Sequence, residues 1–263
     1  MLEKKNSREV RNNIRTLNTI TDRALQREIN SENKEDLMEK SGFNYYDSEI
    51  DSYEESFKKV LEPDENFNEF LKRNYSTKIG KLIGMELGGP GVNFFKGIEW
   101  DIFKKTVGFT LKKLPEHAGQ INHEVVEADV FSKIYKPFEF ERSWTEILKW
   151  VKANGRPDFI IERMVGPLFS IRKPKFFLII LDRWYRILNE EGSMFIEVPK
   201  DFKESLTSKN RIDYEIVINF IKKKIEENGS DAMIKFGHNP SKNCYVILIK
   251  KKKGAPRTLG EFK

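Results

Sequence analysis

From Lys78 onward the chain alternates short apolar runs with amphipathic stretches, and this alternation restricts the fold more than any other feature. Runs of strand length fall at about residues 81–87, 106–110, 124–128, 158–162 and 194–198. Between them lie candidate helices at 92–104, 144–154 and 174–190, the last with Phe177, Leu178, Leu181, Trp184, Tyr185 and Leu188 on a recurrent apolar face. Gly192 is expected to close that helix. Such an alternation predicts a parallel sheet covered on both faces. A further helix is expected near 212–228. Runs at 231–236 and 244–250 follow, joined by a turn with Gly237, Asn239 and Pro240 that is too short for a crossover, so this pair is expected to be antiparallel. The class is α/β, with a mostly parallel seven-stranded sheet and a C-terminal antiparallel hairpin.

Residues 1–75 lack a strand pattern and read as an N-terminal helical extension or lid of peripheral character. Val10, Ile14, Leu17, Ala24 and Leu25 recur at loose helical spacing, and Pro63 with Asp64 is expected to start a helix carrying Phe67, Phe70 and Leu71. The main domain is placed at 76–250. Residues 251–263, rich in lysine and containing Gly254, Pro256 and Gly260, are expected to form a basic mobile tail.

The only cysteine, Cys244, excludes an intramolecular disulfide, and with His117, His123 and His238 it gives no zinc-type spacing, so no metal site is expected and a reducing cytoplasm is. No stretch approaches the roughly 20 apolar residues of a membrane span. Residues 1–75 carry 13 basic against 17 acidic side chains and the remainder 34 against 24. A basic main domain can attract a polyanion, but the same split is ordinary for a lysine-rich soluble protein.

The most informative string is KLIGMELGGPG, Lys81–Gly91, where an apolar run ends in an acid and a glycine-rich turn directly before the amphipathic VNFFKGIEW. Gly88, Gly89 and Gly91 permit positive backbone dihedrals and close approach of a ligand to the main chain, and the following helix presents unpaired amides. HEVVEADVFS, His123–Ser132, puts Asp129 just beyond a second apolar strand, and PDFIIERMVGPL, Pro157–Leu168, supplies a third strand end. In open α/β sheets ligands collect outside the carboxyl ends of the strands, so these turns are expected to converge on one crevice.

These strings resemble the class I S-adenosylmethionine-dependent methyltransferases over about residues 75–250: ELGGPG is similar to the first motif, EADVF to the acidic third, and DRWYRILNEEGSMFIEVP to the later helix and strand. The resemblance implies a Rossmann-like fold, S-adenosylmethionine as cofactor and S-adenosylhomocysteine as product. It places the methionine part of the cofactor against Glu86 and the backbone of Leu87, Gly88, Gly89 and Gly91. It gives Asp129 the adenine amino group, with Val130 supplying the adjacent backbone amide. The loop reads Gly88, Gly89, Pro90, Gly91 where the family commonly alternates its glycines. The second strand, in TVGFTLKK, offers Thr110 where the family usually has an acid gripping both ribose hydroxyls.

The implied activity is methyl transfer to a small-molecule or other compact acceptor, with Glu162 and Arg163 in the loop beside the transferred methyl as the residues expected to touch substrate. A nicotinamide enzyme would need its acid about 20 residues after the glycines, whereas this one precedes them. P-loop and Gly-x-Ser-x-Gly patterns are missing. The loop at Glu162–Val165 lacks the Asp/Asn-Pro-Pro-aromatic pattern of adenine amino methylation, and Cys244 lies too late for a cytosine-C5 nucleophile. RNA methylation is the alternative partner reading, suggested by VGFTL and by the basic run at Lys250–Lys253 with Arg257. A catalytically degenerate scaffold is the other alternative, suggested by the missing second-strand carboxylate.

Overall fold

The computed structural model describes residues 48–110, 122–128, 140–163, 174–199, 218–219, 222–223, 232–239, 244–255 and 258–259. In chain order the elements are α1 (Ile50–Phe57), α2 (Phe67–Tyr75), β1 (Leu82–Leu87), α3 (Val92–Gly97), β2 (Phe103–Thr110), β3 (His123–Glu127), α4 (Phe140–Asn154), β4 (Phe159–Arg163), α5 (Pro174–Ile187), β5 (Ser193–Pro199), β6 (Ala232–Asn239) and β7 (Cys244–Lys251). The seven strands form one sheet in the order β3-β2-β1-β4-β5-β7-β6. Five are parallel, and β7 runs antiparallel to both β5 and β6. This is the Rossmann-like sheet with a C-terminal antiparallel pair that the sequence implied. From β1 the chain winds to β2 and β3 on one side and then returns to β4 on the other, so the order reverses at the β1/β4 boundary.

Alternation along the strands feeds two cores. Met85, Val107, Phe109, Ile160, Met194, Ile196 and Ile247 pack under α4 and α5 against Trp150, Trp184 and Tyr185. Leu82, Phe159, Ile161, Phe195, Val246 and Leu248 pack on the other face under α1, α2 and α3. Phe67 of α2 is the hub of this second core: fully buried, it meets Phe57, Phe94, Phe159 and Phe195 edge-on with centroids 5.1–6.1 Å apart. The helices over 50–75 are therefore not peripheral as expected, because their aromatic faces pack, together with α3, on one side of the sheet.

The amino edge of the sheet is fastened by Asp158. Its carboxylate accepts from the Ile83 amide at 3.0 Å and from Asn189 Nδ2 at 3.0 Å, while the Tyr75 hydroxyl donates to the Asp158 carbonyl at 3.0 Å and contacts Ser193 Oγ at 2.8 Å. Burial pushes the Tyr75 hydroxyl well above its ordinary range, so it stays protonated.

Four local expectations are corrected. The helix expected over 92–104 ends at Gly97, where the Ile98 amide bonds the Phe95 carbonyl, and β2 begins at Phe103. A Cβ on Gly97 would lie 2.5 Å from Ile50 Cγ2, so α1 crosses there, and Trp100, 91% exposed, belongs to a turn and not to an apolar helix face. Helix α2 starts at Phe67, not at Pro63: Asn66 and Glu69 form a reciprocal capping box, while Asp64 takes φ 62° in the preceding turn. Helix α5 ends at Ile187, and the left-handed residue after it is Glu191 (φ 62°), with Gly192 instead packed closely on Leu188. The expected mobile tail is anchored at several points: Lys251 ends β7, Leu259 is buried in the α4/α5 core, and Asp182 accepts from Thr258 Oγ1 at 2.7 Å and the Leu259 amide at 2.8 Å. Most of the helix expected near 212–228 lies outside the described residues.

Phe67→Ala is expected to lower the unfolding free energy by about 3–5 kcal/mol, because the void opens among rings that cannot collapse. Trp100→Ala is expected to change it by less than about 0.5 kcal/mol. Denaturant midpoints of the two variants check both values.

Candidate functional site

The carboxyl end of β1 carries the site. Gly88 (φ 90°) still donates its amide to Phe109 O at 2.9 Å, and the chain then turns through Gly89, Pro90 and Gly91 (φ 68°), whose carbonyl accepts from the Phe95 amide to begin α3. This turn is folded down on β2. A Cβ on Gly108 would lie 1.9 Å from the Pro90 carbonyl oxygen, so glycine is required there. His123, the first residue of β3, bridges the same carbonyl to the sheet: Nε2 lies 2.8 Å from Pro90 O and Nδ1 2.7 Å from Thr106 Oγ1. A neutral ring with the proton on Nε2 satisfies both contacts, donating to Pro90 O and accepting from the threonine hydroxyl.

Beneath the turn sits the Glu86 carboxylate, 4% exposed. A Cβ on Gly89 would approach Oε1 to 2.5 Å and one on Gly91 would approach Oε2 to 2.8 Å, so these two glycines make room for the acid. The Tyr53 hydroxyl of α1 donates to Oε1 at 2.5 Å, a charge-assisted bond from a residue 33 positions earlier. The far end of α1 is tied to β6, where Asn239 Nδ2 donates to Glu55 O at 2.7 Å. Helix α1 thus reaches from the acid of β1 to the last strand of the sheet.

The other sequence candidates divide. Leu87 offers only its backbone at the rim, since its side chain is buried in the α4/α5 core. Thr110 ends β2, 2% exposed, and its carbonyl accepts from the Ala128 amide at 2.8 Å. Asp129 and Val130 lie outside the described residues. Their predecessor Ala128 is at the rim two strands from Glu86, roughly 10 Å away by ordinary strand spacing. Glu162 is fully buried, and because Ile161 shares the face of Glu86, Glu162 turns to the opposite one. Arg163 pairs through its backbone with Glu197 of β5, whose buried carboxylate accepts from Cys244 Sγ at 3.0 Å; the Arg163 side chain lies outside the described residues.

Glu86, the glycine turn and Thr110 are therefore brought together, and Glu162 is directed elsewhere. Tyr53, Gly108 and His123 were missed. A glycine inside the VGFTL strand was the one available signal, since such a residue marks a close backbone approach. Nothing in the sequence pairs Tyr53 with Glu86 or His123 with Pro90. Among the described residues no group of three His, Cys, Asp or Glu side chains could hold a metal ion, and no helix is long and apolar enough to cross a membrane.

No family model matches the chain, and no curated protein sequence matches it. Solved structures with a similar arrangement include the MycE methyltransferase of the mycinamycin biosynthetic pathway, in complex with Mg and SAH, at a TM-score of 0.44 and 11% identity over 80% of this chain; the match spans 50% of that protein. The N-methyltransferase NodS from Bradyrhizobium japonicum WM9 gives 0.39 and 12% over 70% of this chain and 93% of NodS. An rRNA methylase from Streptococcus thermophilus gives 0.39 and 12% over 72% and 98%. It is the strand order, with β7 inserted antiparallel between β5 and β6, and not these distant alignments, that gives the chain the Rossmann-like fold implied by its resemblance to class I methyltransferases.

Proposed function

We propose that the chain is an S-adenosylmethionine-dependent methyltransferase acting on a small-molecule or compact acceptor. One observation carries this reading: a glycine-rich turn wraps a buried acid at the β1/β4 reversal of a parallel sheet, where open α/β sheets hold their ligands. Gly89 and Gly91 lie over Glu86, and Gly108 of β2 lies under the Pro90 carbonyl, because none carries a Cβ, so the turn offers an overlying ligand mainly backbone. That suits an amino-acid-bearing nucleoside.

In this reading the backbone of Leu87, Gly88, Gly89 and Gly91 faces the methionine part, and Glu86 keeps the turn in shape with a negative charge below it. Thr110 offers one hydroxyl near the ribose, Asp129 takes the adenine amino group and Val130 supplies an adjacent amide. Glu162 and Arg163, the last two residues of β4, remain the candidates for contact with the acceptor, Glu162 from the sheet face opposite Glu86. When bound, S-adenosylmethionine supplies an electrophilic methyl on a sulfonium sulfur and departs as S-adenosylhomocysteine. The protein's own contribution is to orient the acceptor in line and to exclude water, which lowers the barrier without a dedicated nucleophile. Helix α1, bound to Glu86 through Tyr53, covers the acid from the side of the N-terminal segment, which supports a lid role for that segment.

Titration calorimetry is expected to show S-adenosylhomocysteine binding to the protein. Absence of binding by both S-adenosylmethionine and its product would remove the cofactor reading and favour a noncatalytic scaffold. Gly108→Ala, which drives a methyl group into the Pro90 carbonyl, is expected to weaken S-adenosylhomocysteine binding by about tenfold or more, or about 1.4 kcal/mol. Tyr53→Phe removes a donor from a buried carboxylate and is expected to lower stability by about 1.5–3 kcal/mol, measured by chemical unfolding alongside the same titration.

A further inference from the structure

Resting on the cofactor reading above, we infer that Glu127, the last residue of β3, supplies the carboxylate that binds the vicinal diol of the ribose. Two adjacent hydroxyls are a pair of donors, and the acceptor that matches both is a carboxylate. Among the described residues, β2 ends in Thr110, with a single hydroxyl and 2% exposure. Its register partner on β3 is Glu127. The pairing continues to the rim, because the Ala128 amide donates to Thr110 O at 2.8 Å, so Glu127 is held one strand spacing, about 5 Å, from Thr110.

Orientation follows from the pleat. Glu86 is in register with Gly108, and Thr110 lies two residues beyond Gly108, so Glu86, Thr110 and Glu127 all belong to one face of the sheet. On that face the Pro90 carbonyl sits on Gly108, and the next row toward the rim is Thr110 with Glu127. A ligand laid across the glycine turn therefore meets this row next. Accessibility singles out the residue. Among the described acids near the carboxyl rim, Glu86 is enclosed by the turn and by Tyr53, and Glu162 and Glu197 are fully buried, whereas Glu127 is exposed.

The test titrates the full-length protein and its Glu127→Ala variant with S-adenosylhomocysteine and with the analogue lacking both ribose hydroxyls. Glu127→Ala is expected to bind S-adenosylhomocysteine about tenfold more weakly or worse, and to bind the dideoxy analogue as the unaltered protein does. Because Glu127 is exposed, the variant should keep its unfolding midpoint, and Glu127→Gln should fall between the two. Equal binding of S-adenosylhomocysteine by variant and unaltered protein would overturn the inference alone, as would an equal loss for both ligands. Failure of the unaltered protein to bind S-adenosylhomocysteine would overturn the cofactor reading and this assignment with it.

Discussion

The contact between the Pro90 carbonyl and the bare Cα of Gly108 governs the carboxyl rim. It allows the turn after β1 to lie against β2 instead of standing away from it, and that places Gly89 and Gly91 directly over Glu86. His123 then fixes the carbonyl from the side, using a ring whose second nitrogen is already committed to Thr106. Each part presupposes the others: the acid fits because two neighbours have no Cβ, and the turn closes because a third position on the next strand has none. A buried carboxylate is costly unless it is paired, and the Tyr53 hydroxyl supplies a short, charge-assisted partner from outside the sheet.

That partner explains why the N-terminal helices cannot be treated as an appendage to a finished domain. α2 places Phe67 at the centre of an aromatic core built with Phe94, Phe159 and Phe195, and α1 spans from Glu86 to Asn239 along the same face. Without these helices Phe94, Phe159 and Phe195 would lose the ring of Phe67 that packs between them. The site and the core thus share one element, and a change in the packing of α1 is transmitted to the acid through a single hydroxyl.

The strands were legible because each is an apolar run bounded by turn residues, and a sheet buried on both faces leaves that imprint in any sequence. The acid and the glycine turn were legible for a similar reason, since both are local in the chain. What could not be read was long range. Tyr53 lies in a segment without a motif, and His123 finds its partner only after two strands have paired. The helix expected over 92–104 was carried too far along the chain: it stops at Gly97, where α1 crosses, and Trp100 projects into solvent. Glu162 was expected beside the substrate from its position at a strand end; which face it takes, opposite Glu86, follows from strand alternation once the register is known.

The insertion of β7 between β5 and β6 has a consequence for synthesis. Of the parallel core, β5 is the outermost strand on its side, and it keeps an open row of amides and carbonyls until Cys244–Lys251 leaves the ribosome. A nascent chain therefore passes through an interval in which Met194, Phe195 and Ile196 border an unpaired edge, the kind of surface on which other chains add strands. Translation pauses before β7 would lengthen that interval, which makes the late segment as important to productive folding as to the finished sheet.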